Sequence, residues 1–99
     1  MATPEGKVKA RLKARLKTLP SPFYQFWPVQ SGMGASTLDM LGCYKGRFVT
    51  VETKALGKCL TPRQLFVMDQ MERAGALAFV VSCDDDIAYM VAELQLQCP

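Results

Sequence analysis

Hydrophobic positions recur along this chain with two periods, and the switches between them mark out seven elements. At the N-terminus the period is helical. At about 100° per residue, Glu5, Val8, Leu12, Leu16 and Leu19 fall on one narrow stripe, with basic residues around the rest of the wheel. The stretch KVKARLKARLK also alternates, as a strand would. Its Ala, Leu, Lys and Arg residues are strong helix formers, however, and Thr3 followed by Pro4 supplies an N-cap and a first helical residue. A proline-punctuated turn leads to a short aromatic strand over Phe23–Val29, and a Gly-rich loop, QSGMGAS, follows. Period two then governs residues 38–44 and 47–54, predicting a hairpin closed at Lys45-Gly46, with room for a turn one residue longer.

Thr61-Pro62 opens a second helix, whose Leu65, Met68, Met71 and Ala74 lie at helical spacing before Gly75 stops it. ALAFVVS reads as a buried parallel strand, and CDDDIAYMVAELQL as a last helix with three aspartates at its positive end. The expected order is α-β-β-β-α-β-α, an α/β fold with one small mixed sheet flanked by helices.

Composition narrows the possibilities. Ninety-nine residues, 49% hydrophobic and 21% charged, suit a single domain over 1–99. No apolar run is long enough for a membrane span, and the basic N-terminus lacks the apolar core of a secretory signal. The four cysteines show no CxxC spacing and there is no histidine, which argues against a structural zinc site and removes every Ser-His or Cys-His nucleophile. The chain reads as cytoplasmic and reduced, with Cys43 and Cys83 as small core residues. Charge is uneven. Ten of the twelve Lys/Arg lie before residue 61 and six of the nine Asp/Glu after residue 60, which hints at a polyanionic partner on one side.

The hairpin carries the chemistry. Closed at Lys45-Gly46, it pairs residues whose numbers sum to 91, so Asp39 faces Glu52, Leu41 faces Thr50 and Cys43 faces Phe48. Met40, Tyr44, Val49 and Val51 occupy the other face. Both faces are apolar enough that each is expected to be covered by a helix. Opposed carboxylates repel, at a cost of roughly 0.2–1 kcal/mol or more when partly buried. With Cβ atoms about 5 Å apart they can share one divalent cation, and oxygen ligands without His or Cys suit Mg²⁺ or Mn²⁺. Lys54 points the same way. The alternative is a charged surface end of the hairpin. Glu5 reads equally as a charge complementing the helix dipole, and Gln64 as the N3 partner of Thr61 in a capping box.

The segment LD39 … VE52-Thr53-Lys54 resembles the signature of the PD-(D/E)XK nucleases, with Leu38 where that motif has a proline that shapes the strand entry. More narrowly, TPEGKVK, PVQSGMG, LDMLGC, GRFVTVETKALGKCLTPRQ and AGALAFVVS together resemble the small stand-alone VRR-NUC domains found in bacteriophages, over about residues 3–83. That resemblance implies a restriction-endonuclease-like α-β-β-β-α-β core, followed here by a C-terminal helix. It implies that Glu5, Asp39, Glu52 and the Thr53 carbonyl hold the metal. Asp39, Glu52, Lys54 and Gln64 would be the catalytic residues, with Lys54 as the catalytic lysine and Gln64 contacting water or phosphate.

It implies too a metal-dependent structure-specific DNA endonuclease, similar to Holliday-junction resolvases that act as homodimers, and needing no small-molecule cofactor. If the chain is phage-encoded, it would work in the bacterial host cell. A flap- or single-strand-cutting nuclease and a non-catalytic nucleic-acid-binding module are the alternatives. Lys9, Lys13, Ser31, Lys58 and Arg63 are the candidate DNA contacts, directed to backbone and shape. Tyr24, Phe26 and Trp27 read either as core or as stacking surfaces for unpaired bases. The dimer would form through the apolar part of the last helix or through the FYQFWP strand.

Overall fold

The computed structural model describes residues 3–29 and 37–99. Its elements follow the expected order: α1 (Pro4–Leu16), β1 (Phe23–Phe26), β2 (Met40–Tyr44), β3 (Arg47–Thr53), α2 (Pro62–Arg73), β4 (Leu77–Val81) and α3 (Asp84–Gln97). One four-stranded sheet runs β1-β2-β3-β4, antiparallel except for the parallel β3–β4 pair that α2 connects. The Gly-rich loop, and Ser31 with it, lies outside the described residues.

Local chemistry sets the helix ends. Thr3 Oγ1 accepts the Gly6 N–H at 2.9 Å and Pro4 takes the first turn of α1. At the end of α2, Gly75 adopts φ 105°, and the Ala76 N–H donates back to the Met71 carbonyl at 2.9 Å. The hairpin closes in two residues, with Lys45 at φ 49° and Gly46 at φ 80°, so both central positions are left-handed as a twist-matched turn requires. No extra residue is needed. The register is the expected one from Tyr44↔Arg47 to Met40↔Val51.

α1 and α3 pack together on one face of the sheet. Val8, Leu12, Leu16 and Leu19 meet Met40, Tyr44, Val49, Val51, Phe79 and Val81, with Ile87, Met90, Val91 and Leu94 of α3 completing the cluster. α2 alone serves the other face, where Val67 and Met68 pack on Leu38, with Leu60, Met71 and Ala78 beside them.

This division corrects four expectations. The second face is only part-covered: Tyr24, Phe26 and Phe48 stay exposed, and with Leu41, Gly42 and Cys43 they line an apolar hollow of about 380 Å³. Cys43 is therefore exposed, because no helix covers the β1–β2 end, and Cys83 is half-buried at the N-cap of α3; neither is a core residue. The buried stripe of α2 is Gln64, Val67, Met68 and Met71, while Leu65 is 55% exposed and Ala74 lies outside. β1 stops at Phe26, since Pro28 has no N–H for a ladder. Gly42 lets β1 approach closely, for an added Cβ would lie 2.3 Å from the Tyr24 carbonyl oxygen.

Candidate metal centre

β3 runs out of the sheet at Glu52 and Thr53, and the first turns of α1 and α2 meet it there. Alternation along β3 puts Glu52 on the α2 side and Thr53, with Val49 and Val51, on the α1 side. Asp39 lies one residue before the ladder, at a bend. Leu38 packs under α2 and Met40 against α1 and α3, although strict alternation would place both on one face. The chain therefore turns about Asp39.

Every oxygen of the opposed pair has a partner. The Asp39 N–H donates to Glu52 Oε1 at 3.2 Å, and Gln64 Nε2 donates to Glu52 Oε2 at 2.9 Å. Asp39 Oδ2 accepts two bonds from Thr53, from the backbone N–H at 2.9 Å and the hydroxyl at 2.7 Å. Asp39 Oδ1 lies 3.5 Å from Lys9 Nζ. The Glu5 carboxylate accepts no hydrogen bond among the described residues, and the Lys54 ammonium forms neither an ion pair nor a hydrogen bond among them. Glu5 and Lys54 line an open cleft of about 510 Å³ with Thr3, Pro4, Ala55, Lys58 and Cys59.

Glu52 is only 3% exposed. Burial first, then the Asp39 carboxylate and more weakly Glu5, push its pKa up to about 7, against the opposing pull of the Asp39 N–H and the Lys54 ammonium. A buried carboxyl with two more carboxylates beside it lacks positive charge at neutral pH. One oxygen from each of Glu5, Asp39 and Glu52 lies within 4.8 Å of the others. The donors are all hard oxygens, and Glu5, Glu52 and Asp39 Oδ1 keep lone pairs for a further ligand, whereas Asp39 Oδ2 has both of its sites taken by Thr53. The set therefore fits a divalent hard cation. A cation bound here would relieve the mutual repulsion of Asp39 and Glu52.

The fold gathers most of the sequence-predicted residues at this point: Glu5, Asp39, Glu52, Thr53, Lys54 and Gln64, with Lys58 along the cleft. Gln64 fills both roles open to it. Its Oε1 accepts the Thr61 N–H at 3.0 Å in a capping box while its Nε2 reaches Glu52. Lys13 instead stacks over the Trp27 ring, 4.7 Å from the centroid, and Arg63 is exposed in the first turn of α2. Two features were not read from the sequence. Thr53, expected to contribute only its backbone carbonyl, clamps Asp39 with its N–H and hydroxyl. Lys9, expected on DNA, reaches into the carboxylate cluster; its signal was a place four residues after Glu5 on the same helix. The aspartate run of α3 has structural work, since Asp84 pairs with Arg11 at 2.7 Å and Asp86 accepts the Ser82 N–H, which holds the Asp86 carboxyl below the usual carboxylate range.

Comparison with known proteins places the fold. A solved structure described as a VRR_NUC domain matches 92% of this chain and 97% of its own length, with a TM-score of 0.74 and 24% sequence identity. The chain thus has the fold of that VRR_NUC domain. No family model and no curated protein matches the chain.

Proposed function

We propose that this chain is a divalent-metal-dependent, structure-specific DNA endonuclease, one domain over residues 1–99, that cuts four-way junctions or other branched DNA as a homodimer. The observation that carries the reading is the convergence of Glu5, Asp39 and Glu52 within 4.8 Å beside Lys54, in a VRR-NUC fold. Glu5, Asp39, Glu52 and the Thr53 carbonyl hold Mg²⁺ or Mn²⁺. The bound ion supplies Lewis-acid polarisation of the phosphate and a more acidic water. Lys54, with no ion pair among the described residues, orients the attacking water and neutralises charge developing on the phosphate. Gln64 fixes the Glu52 carboxylate against the first turn of α2. Lys9, Lys13, Ser31, Lys58 and Arg63 contact the DNA backbone.

For the dimer, the α3 stripe is already buried in the core, which leaves the exposed Tyr24, Phe26 and Phe48 face as the supported surface. Two sites related by a two-fold axis can nick opposite strands of a junction. The same exposed rings favour a second reading, in which Tyr24 and Phe26 stack on unpaired bases of a flap or single strand.

The test is cleavage of labelled four-way junction, flap and linear duplex with Mg²⁺ or Mn²⁺, beside Glu52→Ala. Paired nicks at the junction branch, abolished by the substitution, support the proposal. Cleavage of flaps or single strands alone moves the function to the second reading. No cleavage of any substrate by folded wild-type protein overturns it.

A further inference from the structure

Asp39 treats its two oxygens differently. Oδ2 is clamped by the Thr53 N–H and hydroxyl, both on the end of β3. Oδ1 has Lys9 as its partner, at 3.5 Å, too long for a good hydrogen bond. Oδ1 is thus the oxygen open to a cation, and an ammonium already sits beside it. The lysine side chain is 35% exposed and Asp39 11%, so the pair is partly solvated and weakly held. Lys9 is also absent from the residues lining the cleft that holds Glu5 and Lys54. Two lysines therefore approach the carboxylates from different sides, Lys54 with no ion pair among the described residues and Lys9 resting on a candidate ligand oxygen. The geometry fits two successive occupants of Oδ1 better than two simultaneous ones, since a divalent ion there would repel the ammonium.

We infer that Lys9 is a tethered counter-ion: it balances Asp39 Oδ1 in the metal-free protein, and it leaves for a backbone phosphate of the DNA when a divalent cation takes that oxygen. The inference rests on the metal-site reading above. A lysine suits this exchange, being a compact charge on a flexible four-carbon stem. Its neighbours on α1 mark the direction of travel. Glu5, Lys9 and Lys13 follow at four-residue spacing along one helix face, and Lys13 is held over Trp27 one turn beyond. A released Lys9 would lie in line with Lys13, next to the cluster. Lys9 is then a positioning residue whose contribution to DNA binding exists only in the metal-loaded protein.

Two titrations test this, on wild type, Lys9→Met and Lys17→Met. Methionine is a good helix former, so a half-exposed helix position should tolerate it. Lys17→Met removes the same charge from the far end of the helix. Calorimetry with Mn²⁺ alone should show Lys9→Met binding about three- to tenfold tighter than wild type, with Lys17→Met close to wild type. DNA affinity is then measured without metal and with Ca²⁺, which fills oxygen sites. Lys9→Met should match wild type without metal and fall about three- to tenfold below it with Ca²⁺. Unchanged or weaker Mn²⁺ binding by Lys9→Met, with wild type binding, overturns the counter-ion role alone. An equal DNA defect with and without metal overturns the hand-over. Absence of Mn²⁺ binding by wild type overturns the metal-site reading itself, and the inference with it.

Discussion

Gln64 Nε2 donates to Glu52 Oε2 at 2.9 Å while Gln64 Oε1 accepts the Thr61 N–H at 3.0 Å, so one amide ties the cap of α2 to the buried carboxylate of β3. The two duties separate by mutation. Thr61→Ala removes the hydroxyl that accepts the Gln64 N–H and should cost about 1 kcal/mol of stability. It leaves the bond to Glu52 and should lower cleavage little. Gln64→Ala should cost a similar stability and also lower cleavage at least tenfold, because Glu52 Oε2 loses its donor. Thermal melts beside single-turnover cleavage rates check the pair. Equal rate losses in the two variants would remove the bond to Glu52 from the account.

Glu52 makes the metal-free protein less stable as the pH rises from acid to neutral. Its pKa is raised from 4.5 to about 7, so the folded state holds a proton that the unfolded state releases. Below about pH 4.5 this group costs nothing, and the penalty grows through the window from 4.5 to 7 to roughly 3 kcal/mol above it. A bound divalent cation should offset that penalty. With a chelator present, the melting temperature of Glu52→Gln relative to wild type should rise between pH 5 and pH 8. Adding Mn²⁺ at pH 8 should stabilise wild type and not the variant. A difference that stays constant with pH would contradict the assignment.

Lys54 is a test of chemistry without structure. Its ammonium holds no ion pair among the described residues, and its backbone N–H donates to the Val81 carbonyl whatever the side chain. Lys54→Met should therefore fold with near wild-type stability, bind Mn²⁺ at least as tightly, and lose cleavage by about 10²–10⁴-fold. Calorimetry and cleavage rates on one preparation distinguish this from general damage, in which both would fall.

Phe26, 49% exposed on the open face of the sheet, is the probe for self-association. Phe26→Glu should leave the fold intact and turn a dimer into a monomer by sedimentation. It should also uncouple the paired nicks on a four-way junction. A wild-type protein that is already monomeric would remove the dimer from the proposal.

The sequence carried those parts of the fold that local rules decide. Caps at Thr3 and Thr61, the stop at Gly75 and the two-residue turn at Lys45-Gly46 all follow from one or two residues each. The 91-sum register then brings Asp39 to Glu52 with no tertiary information. The rotation of α2 was harder, because Leu65 and Phe66 are as apolar as Val67, and only packing on Leu38 and Ala78 decides which face turns inward. The open β1–β2 face was equally hidden: three helices must share two faces, and pattern alone does not say that two choose the same one. At the site the carboxylates and Lys54 were legible because hairpin geometry aligns them. The Thr53 clamp and the Lys9 contact depend on the bend at Asp39, which breaks the alternation on which the reading relied.

The central claim is that the end of β3 holds a divalent cation, and a crystal grown in Mn²⁺ tests it most directly through the metal's anomalous signal. The account places a peak about 2–2.5 Å from oxygens of Asp39 and Glu52, with Glu5 reaching it directly or through water and Lys9 withdrawn from Asp39 Oδ1. Well-ordered crystals in saturating Mn²⁺ with no peak among these three carboxylates would contradict it.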